Sequence, residues 1–518
     1  MSSSLDAARP ETAPVLTPRF RPAIHFTAKD TWLNDPNGLV FHDGLYHLFF
    51  QNNPYGNVWG NMSWGHATST DLLHWTEHPV AIAGDEAEDI FSGSVVVDHG
   101  NTSGFGTAGS PALVAVYTSA FKAGSVHSGT QAQSLAYSTD SGMTWRKYEQ
   151  NPVLARNSEH FRDPKVFRYE GGEGAFWVMV AVEAQQQKVV LYRSDDLKNW
   201  DFLSEFGPAN ADDGEWECPD LFPLAVDGDP ANIKWVLIVN VNPGAVAGGS
   251  GGQYFVGQFD GDRFLPDAGS LAAPAGVTSL PDAARAEALQ QCLWLDWGRD
   301  CYASVSFSNA PDDRRIIIGW MNNWDYANQL PTAPWRSSMT LARELRLETV
   351  NGDARLVQYP VLGNPEEELF HAGSIEVGAS ALRLPDTAPG VAQVIEAEIL
   401  PGTTERVELR LLASSDGIHG TVLSYTAGSG RLTLDRTRSG DTAFDEKFAS
   451  VESAPVPLEN GALKLLIVVD QCSVEVFAQD GKVVLTDLVF PETNSQENWL
   501  TAEGGTATVL KLAVTQTA

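Results

Sequence analysis

Cysteine is scarce: 518 residues contain four, Cys218, Cys292, Cys301 and Cys472. Four scattered thiols build neither a disulfide framework nor a zinc site. Cys292 and Cys301 stand near enough in sequence to face each other across a hairpin, but no bridge is expected. Basic residues are also few, 34 against 66 acidic ones, giving a formal charge of −32. Such a field repels phosphate backbones and anionic membranes, which argues against nucleic acid and membrane partners and for a neutral ligand. No apolar run approaches the roughly 18 residues of a membrane span. Met1–Pro18 lacks the basic start and apolar centre of a signal peptide. The chain is therefore either cytoplasmic or exported with a leader outside this sequence. His66, His74 and His78 match no common metal spacing, and neither a metal nor an organic cofactor is expected.

What is plentiful points to β-structure. There are 46 glycines, 29 prolines and 15 tryptophans, with few long helical patterns. A chain this long has room for two cores. Residues 1–19 read as a disordered lead, and from Phe20 to about residue 350 the texture is short strands between turns. Apolar strand candidates recur at Tyr46–Gln51, Ala112–Thr118, Ala175–Val182, Lys234–Val241 and Arg315–Asn322. Each follows another strand candidate that opens on a polar or small-residue motif. A Ser…Asp…Trp pattern also recurs, in Ser69–Trp75, Ser138–Trp145 and Ser194–Trp200. Five such four-stranded units predict a five-bladed β-propeller, whose inner strands converge on a central channel. Residues 351–370 read as a linker. From 371 to 518 alternation is clear, with Val407, Leu409 and Leu411 facing one way and Glu408 and Arg410 the other. This half predicts a β-sandwich.

Three of the motifs carry an acid just before a proline or one residue earlier. They are Trp32–Gly38 with Asp35, Phe161–Pro164 with Asp163, and Trp216–Pro219 with Glu217. In a propeller the three acids would meet at one mouth of the channel. Two carboxylates flanking a scissile bond are the equipment of glycoside hydrolysis, one attacking and one holding a proton for the leaving oxygen. A free Glu titrates near pH ~4.3, so the proton donor needs a neighbouring negative charge or desolvation. Arg162 beside Asp163 is expected to keep that third carboxylate ionised. Tryptophans suit sugar faces, and Trp32, Trp59, Trp64, Trp297, Trp320 and Trp324 lie in or near the motifs.

The motifs as a set resemble those of glycoside hydrolase family 32, the invertase, levanase and exo-inulinase family. The likeness runs through Trp32–Gly38, Gln51–Pro54, Trp59–His66, Phe91–Ser94, Phe161–Phe167, Trp216–Phe222, Trp297–Ser304, Gly319–Tyr326, Trp335–Leu347 and Val474–Phe477. It implies a retaining mechanism on β-fructofuranosides, with Asp35 as nucleophile, Glu217 as general acid/base and Asp163 as transition-state stabiliser. It places Asn34, Gln51, Trp59, Phe91, Ser92 and Arg162 around the terminal fructose, and Trp324 on the leaving-group side. The implied partner is a neutral fructose-containing oligo- or polysaccharide: levan, inulin or sucrose. Secreted members make an extracellular site the expectation. Asn61 and Ser63 depart from the family pattern close to the expected rim, which leaves acceptor choice open. A fructosyltransferase, including one releasing difructose dianhydride from levan, is the alternative. A fructan-binding propeller without catalysis is the alternative of another class.

Overall fold

The computed structural model describes residues 19–107, 109–172 and 174–517. The expected disordered lead lies outside these, except for Arg19. Up to Pro360 the chain forms five antiparallel sheets. Their head strands are Trp32–His42, Glu88–Asp98, Phe161–Gly171, Glu215–Ala225 and Tyr302–Ser306. In each sheet the next strand is a near-continuous apolar run. Ala112–Phe121 and Gly174–Glu183 are buried along most of their length, as expected for strands covered on both faces.

Side chains clasp each head strand to the next. Gly93 N donates to Asn37 Oδ1 at 3.0 Å, and Val166 N donates to Ser94 Oγ at 2.9 Å. Cys218 N donates to Asp163 Oδ2 at 3.0 Å, and Ser306 N to Asp220 Oδ2 at 2.6 Å. The fifth sheet returns to the first through Phe41 N to Ser308 O and Ser308 N to Leu39 O, at 2.9 and 2.8 Å. Gly93 must be glycine, because a Cβ there would fall 2.1 Å from the Val116 carbonyl oxygen.

The Ser…Asp…Trp repeat has a local cause. Asp71 and Asp196 each accept two backbone N–H groups in a tight turn, and Asp140 accepts one. The tryptophan indoles of Trp75, Trp145 and Trp200 donate back to carbonyls of the same turns.

The stretch read as a linker is largely strand. Asp353–Pro360 pairs with Arg343–Val350 in the fifth sheet. Asn351 and Gly352, at φ 53° and 92°, make the two-residue turn between them. The Asn-Gly signal therefore marks a hairpin rather than a boundary. Only residues 361–366 separate this sheet from the next strand, Glu367–Ala372.

The C-terminal part is two antiparallel sheets of seven and six strands. Val407, Leu409 and Leu411 are buried, as the alternation predicts, and a bulge after Arg410 buries Leu412 as well. Asp296–Asp300, the polar stretch just ahead of the fifth head strand, lies against this half. Trp297 N donates to Val484 O, Asp300 N to Thr486 O, and Asp296 accepts from Thr486. Buried charges close the junction. Arg343 pairs with Asp296 at 2.9 Å and Glu475 at 2.6 Å, and His25 sits between Asp470 and Glu475 at 2.7 and 2.8 Å.

Candidate active site

All five head strands carry a register shift in their first few residues. The shifts fall at Leu33/Pro36, Phe91/Gly93, Arg162/Lys165, Glu217/Asp220 and Tyr302/Val305. A bulge bends the strand and re-aims its side chains. Proline fits there, since the extra residue gives no ladder hydrogen bond. Asp163, Cys218 and Ala303 take φ values of 61°, 44° and 53°, a left-handed backbone that non-glycine residues adopt only when held in place. The three acid-proline motifs are thus the sequence record of three of these five bulges.

The bulges turn Asp35, Asp163 and Glu217 into one open cavity of about 430 Å³. Asn34, Gln51, Trp59, Phe91, Ser92, Arg162 and Trp324 line the same cavity. All ten residues singled out from the sequence are therefore brought together. Asn61 and Ser63 do not line it; Ser63 is buried and accepts from Gly84 N at 3.0 Å. Of the six tryptophans named above, Trp59 and Trp324 reach the cavity. Trp32, Trp64, Trp297 and Trp320 are buried.

Asp35 is the best-supported carboxylate. Ser92 Oγ donates to its Oδ2 at 2.7 Å, and Cys218 Sγ approaches the same oxygen at 3.4 Å. Asn34 Nδ2 donates to Oδ1 at 3.1 Å, its amide oriented by the Trp32 indole, which donates to Asn34 Oδ1 at 2.8 Å. Burial, then the charge of Glu217, raises the Asp35 carboxyl above its ordinary value, while these donors pull it back. Glu217 is held differently. Tyr302 OH donates to Oε2, and Arg162 Nη2 to Oε1 at 3.1 Å.

The sequence reading has Arg162 keeping Asp163 ionised, and the structure departs from it. Arg162 Nε is 3.8 Å from Asp163 Oδ2, while Nη2 reaches Glu215 and Glu217. Burial outweighs the guanidinium, and with Glu217 and Asp35 alongside it pushes Asp163 up to about 7. Like charges crowded out of water cannot all ionise together.

Four further residues were not singled out from the sequence. Tyr302 lies in a motif but carries no acid signal. Glu215 is two residues before Glu217 on one strand and so shares its face. His160 and Gln131 complete the wall. Gln51 Nε2 and Gln131 Oε1 are buried atoms with no partner among the described residues, a donor and an acceptor on the cavity wall. Trp59 stands 46% exposed at the rim, its ring edge-on to Phe91 at 6.2 Å and its backbone N–H donating to Asn328 Oδ1. Trp324 stacks on Trp32 at 6.1 Å. The four cysteines are free and buried.

An all-β frame that turns paired carboxylates, unpartnered amides and an exposed indole into one open cavity defines a glycosidase. Comparison with known proteins gives the family. The model of the glycosyl hydrolases family 32 N-terminal domain matches residues 25–360, and that of the family's C-terminal domain matches residues 368–516. The chain belongs to glycosyl hydrolases family 32. It is 42% identical over 507 residues to a levanase of Bacillus subtilis strain 168, covering 96% of this chain and 70% of the levanase. An extracellular exo-inulinase of Aspergillus ficuum is 40% identical over 512 residues, covering 94% of this chain and 92% of its own. The crystal structure of an exo-inulinase from Aspergillus awamori superposes with a TM-score of 0.88 at 38% identity, over 97% of this chain and 99% of that one.

Proposed function

We propose that this protein releases terminal β-D-fructofuranosyl units from fructans (levan and inulin) and from sucrose, with retention, through a covalent fructosyl-enzyme. The observation that carries the reading is the unequal support of two carboxylates in one cavity. Asp35 is surrounded by three side-chain donors that favour its ionised form, as a nucleophile requires. Glu217 stands among other acids with a hydroxyl and one guanidinium nitrogen, the setting of a group that must gain and lose a proton.

In the first step a carboxylate oxygen of Asp35 attacks the anomeric carbon. The glycosidic bond breaks as Glu217 passes its proton to the departing oxygen. In the second, Glu217 takes a proton from water, whose oxygen attacks the same carbon and frees Asp35. Positive charge builds on the ring between these events, and Asp163 offers an acceptor to the sugar hydroxyls there. The bare amide atoms of Gln51 and Gln131 serve the neutral sugar, and Trp59 and Trp324 its apolar faces. Four carboxylates against one guanidinium disfavour a phosphorylated substrate.

In this reading the catalytic domain is a five-bladed β-propeller ending at Pro360, followed by a β-sandwich from about Glu367 with an ancillary role. Secretion is supported by the extracellular relatives. No helix among the described residues is long and apolar enough to cross a membrane.

A chromatographic time course of products from levan, inulin and sucrose tests the proposal. Free fructose from the earliest points is the expected result. A non-reducing disaccharide accumulating with little fructose would make the enzyme a transferase with the same residues. Binding without turnover of any fructan would leave only a carbohydrate-binding propeller.

A further inference from the structure

The Arg162 guanidinium is not a private partner of the acid/base. Its Nη2 atom is shared, reaching Oε1 of Glu217 at 3.1 Å and Oε2 of Glu215 more closely still. Glu215 is itself anchored. Gln185 Nε2 donates to its Oε1 at 3.1 Å, and His160 Nδ1 stands 3.9 Å from the same oxygen. Trp216, between the two glutamates, points the other way into a buried core, which locks the face that Glu215 and Glu217 share. Arg162 is buried, and no other arginine or lysine among the described residues lines the cavity. A fourth carboxylate therefore holds the cavity's single guanidinium, and the steps derived above give it no task.

We propose that Glu215 is a positioning residue for Glu217: it draws the Arg162 charge towards itself, so that Glu217 keeps its proton at higher pH. The inference rests on Glu217 being the acid/base. The groups facing Glu217 are Asp163 on the neighbouring third head strand with Arg162 beside it, Tyr302 on the fifth, Asp35 on the first across the cavity, and Glu215 and Cys218 on its own strand, with His160 beyond Glu215. Of the three acids around Glu217, Glu215 is the one that accepts a hydrogen bond from the arginine. Burial opposes ionisation of Glu215, yet the Arg162 charge and hydrogen bond hold its carboxyl below the ordinary value. Removing the Glu215 charge acts twice in the same direction. It ends a like-charge repulsion, and it leaves the guanidinium to Glu217 alone. Both stabilise the Glu217 carboxylate, and its proton is lost at lower pH.

The test is the pH dependence of kcat/KM for the native enzyme, Glu215→Gln and Glu215→Ala on one fructan, with thermal unfolding alongside. The Gln variant keeps a hydrogen-bond acceptor for Arg162 and loses only the charge. The expected result is a basic limb displaced downward by about one pH unit in both variants, with activity at acidic pH retained within a few-fold. The Ala variant serves if the Gln variant does not fold. An unmoved basic limb in a folded, active variant overturns the proposal. Glu217→Gln separates the two levels. If it is inactive and the Glu215 limb is unmoved, only the role of Glu215 fails. If it stays fully active, the acid/base assignment itself fails.

Discussion

Ser92 Oγ stands 2.7 Å from Asp35 Oδ2, a hydroxyl from the second head strand supporting a carboxylate on the first. Neither residue is held there by its own strand alone. Trp64 Nε1 donates to the Phe91 carbonyl at 3.0 Å, and Gly93 N donates to Asn37, so the bulges of the two strands are fixed to each other. The hydrogen bond is therefore a consequence of sheet closure.

Its removal gives the first prediction. A hydrogen bond to a charged group contributes on the order of 1.5–3 kcal/mol. Ser92→Ala should lower kcat/KM by about tenfold or more. Because the donor favours the Asp35 carboxylate, the acidic limb of the pH profile should also move up. Steady-state kinetics across pH checks both, and an unchanged acidic limb would separate Ser92 from Asp35.

Tyr302 gives a shift of the opposite sign to that of Glu215. Its hydroxyl donates to Glu217 Oε2, and burial, then the charge of Glu217, keeps that phenol protonated well beyond its ordinary range. Tyr302→Phe removes a donor to the carboxylate form, so Glu217 should lose its proton at higher pH. The basic limb of kcat/KM should move up by on the order of one pH unit. The comparison with Glu215→Gln is internal, since both variants report on one carboxyl.

The junction predicts how stability depends on pH. Burial works against the charge on His25, but the hydrogen bonds its ring donates to Asp470 and Glu475 raise it from 6.5 to about 9. That contribution is fully present below about pH 6.5 and is lost as pH rises through about 9. Burial also opposes ionisation of Glu475, but Arg343 and His25 depress it from 4.5 to about 2. Its contribution is present above pH 4.5 and is lost as pH falls through about 2. The Tm should therefore be highest between about pH 4.5 and 6.5. His25→Ala leaves two buried carboxylates short of a partner and should cost on the order of 3 kcal/mol. Calorimetry across pH measures both effects.

How much of this is legible in the sequence follows from what repeats. Three of the head strands show themselves because a bulge with a proline leaves a visible signature, and Asp35, Asp163 and Glu217 each sit within one. Tyr302 and Glu215 left no such mark. Tyr302 reaches Glu217, and Arg162 reaches Glu215, only after the sheets have closed, and neither residue type announces a role. The Asn351-Gly352 turn and the Asp296–Asp300 segment show the converse. Both carry strong local signals, but tertiary pairing decides whether a turn ends a domain and whether an acid faces a channel or a neighbouring sheet. The charge state of Asp163 was illegible for a related reason. Adjacency to Arg162 in sequence implies a pair, whereas the guanidinium reaches past it to two glutamates.

The central claim is that Asp35 forms the bond to fructose. Mixing enzyme with substrate, quenching in acid within the first turnovers and mapping the hexosyl adduct by peptide mass spectrometry tests it directly. The account predicts one fructosyl unit on the peptide carrying Asp35, and none in Asp35→Ala. An adduct on the peptide carrying Asp163 or Glu217, or turnover with no adduct on any carboxylate, would contradict it.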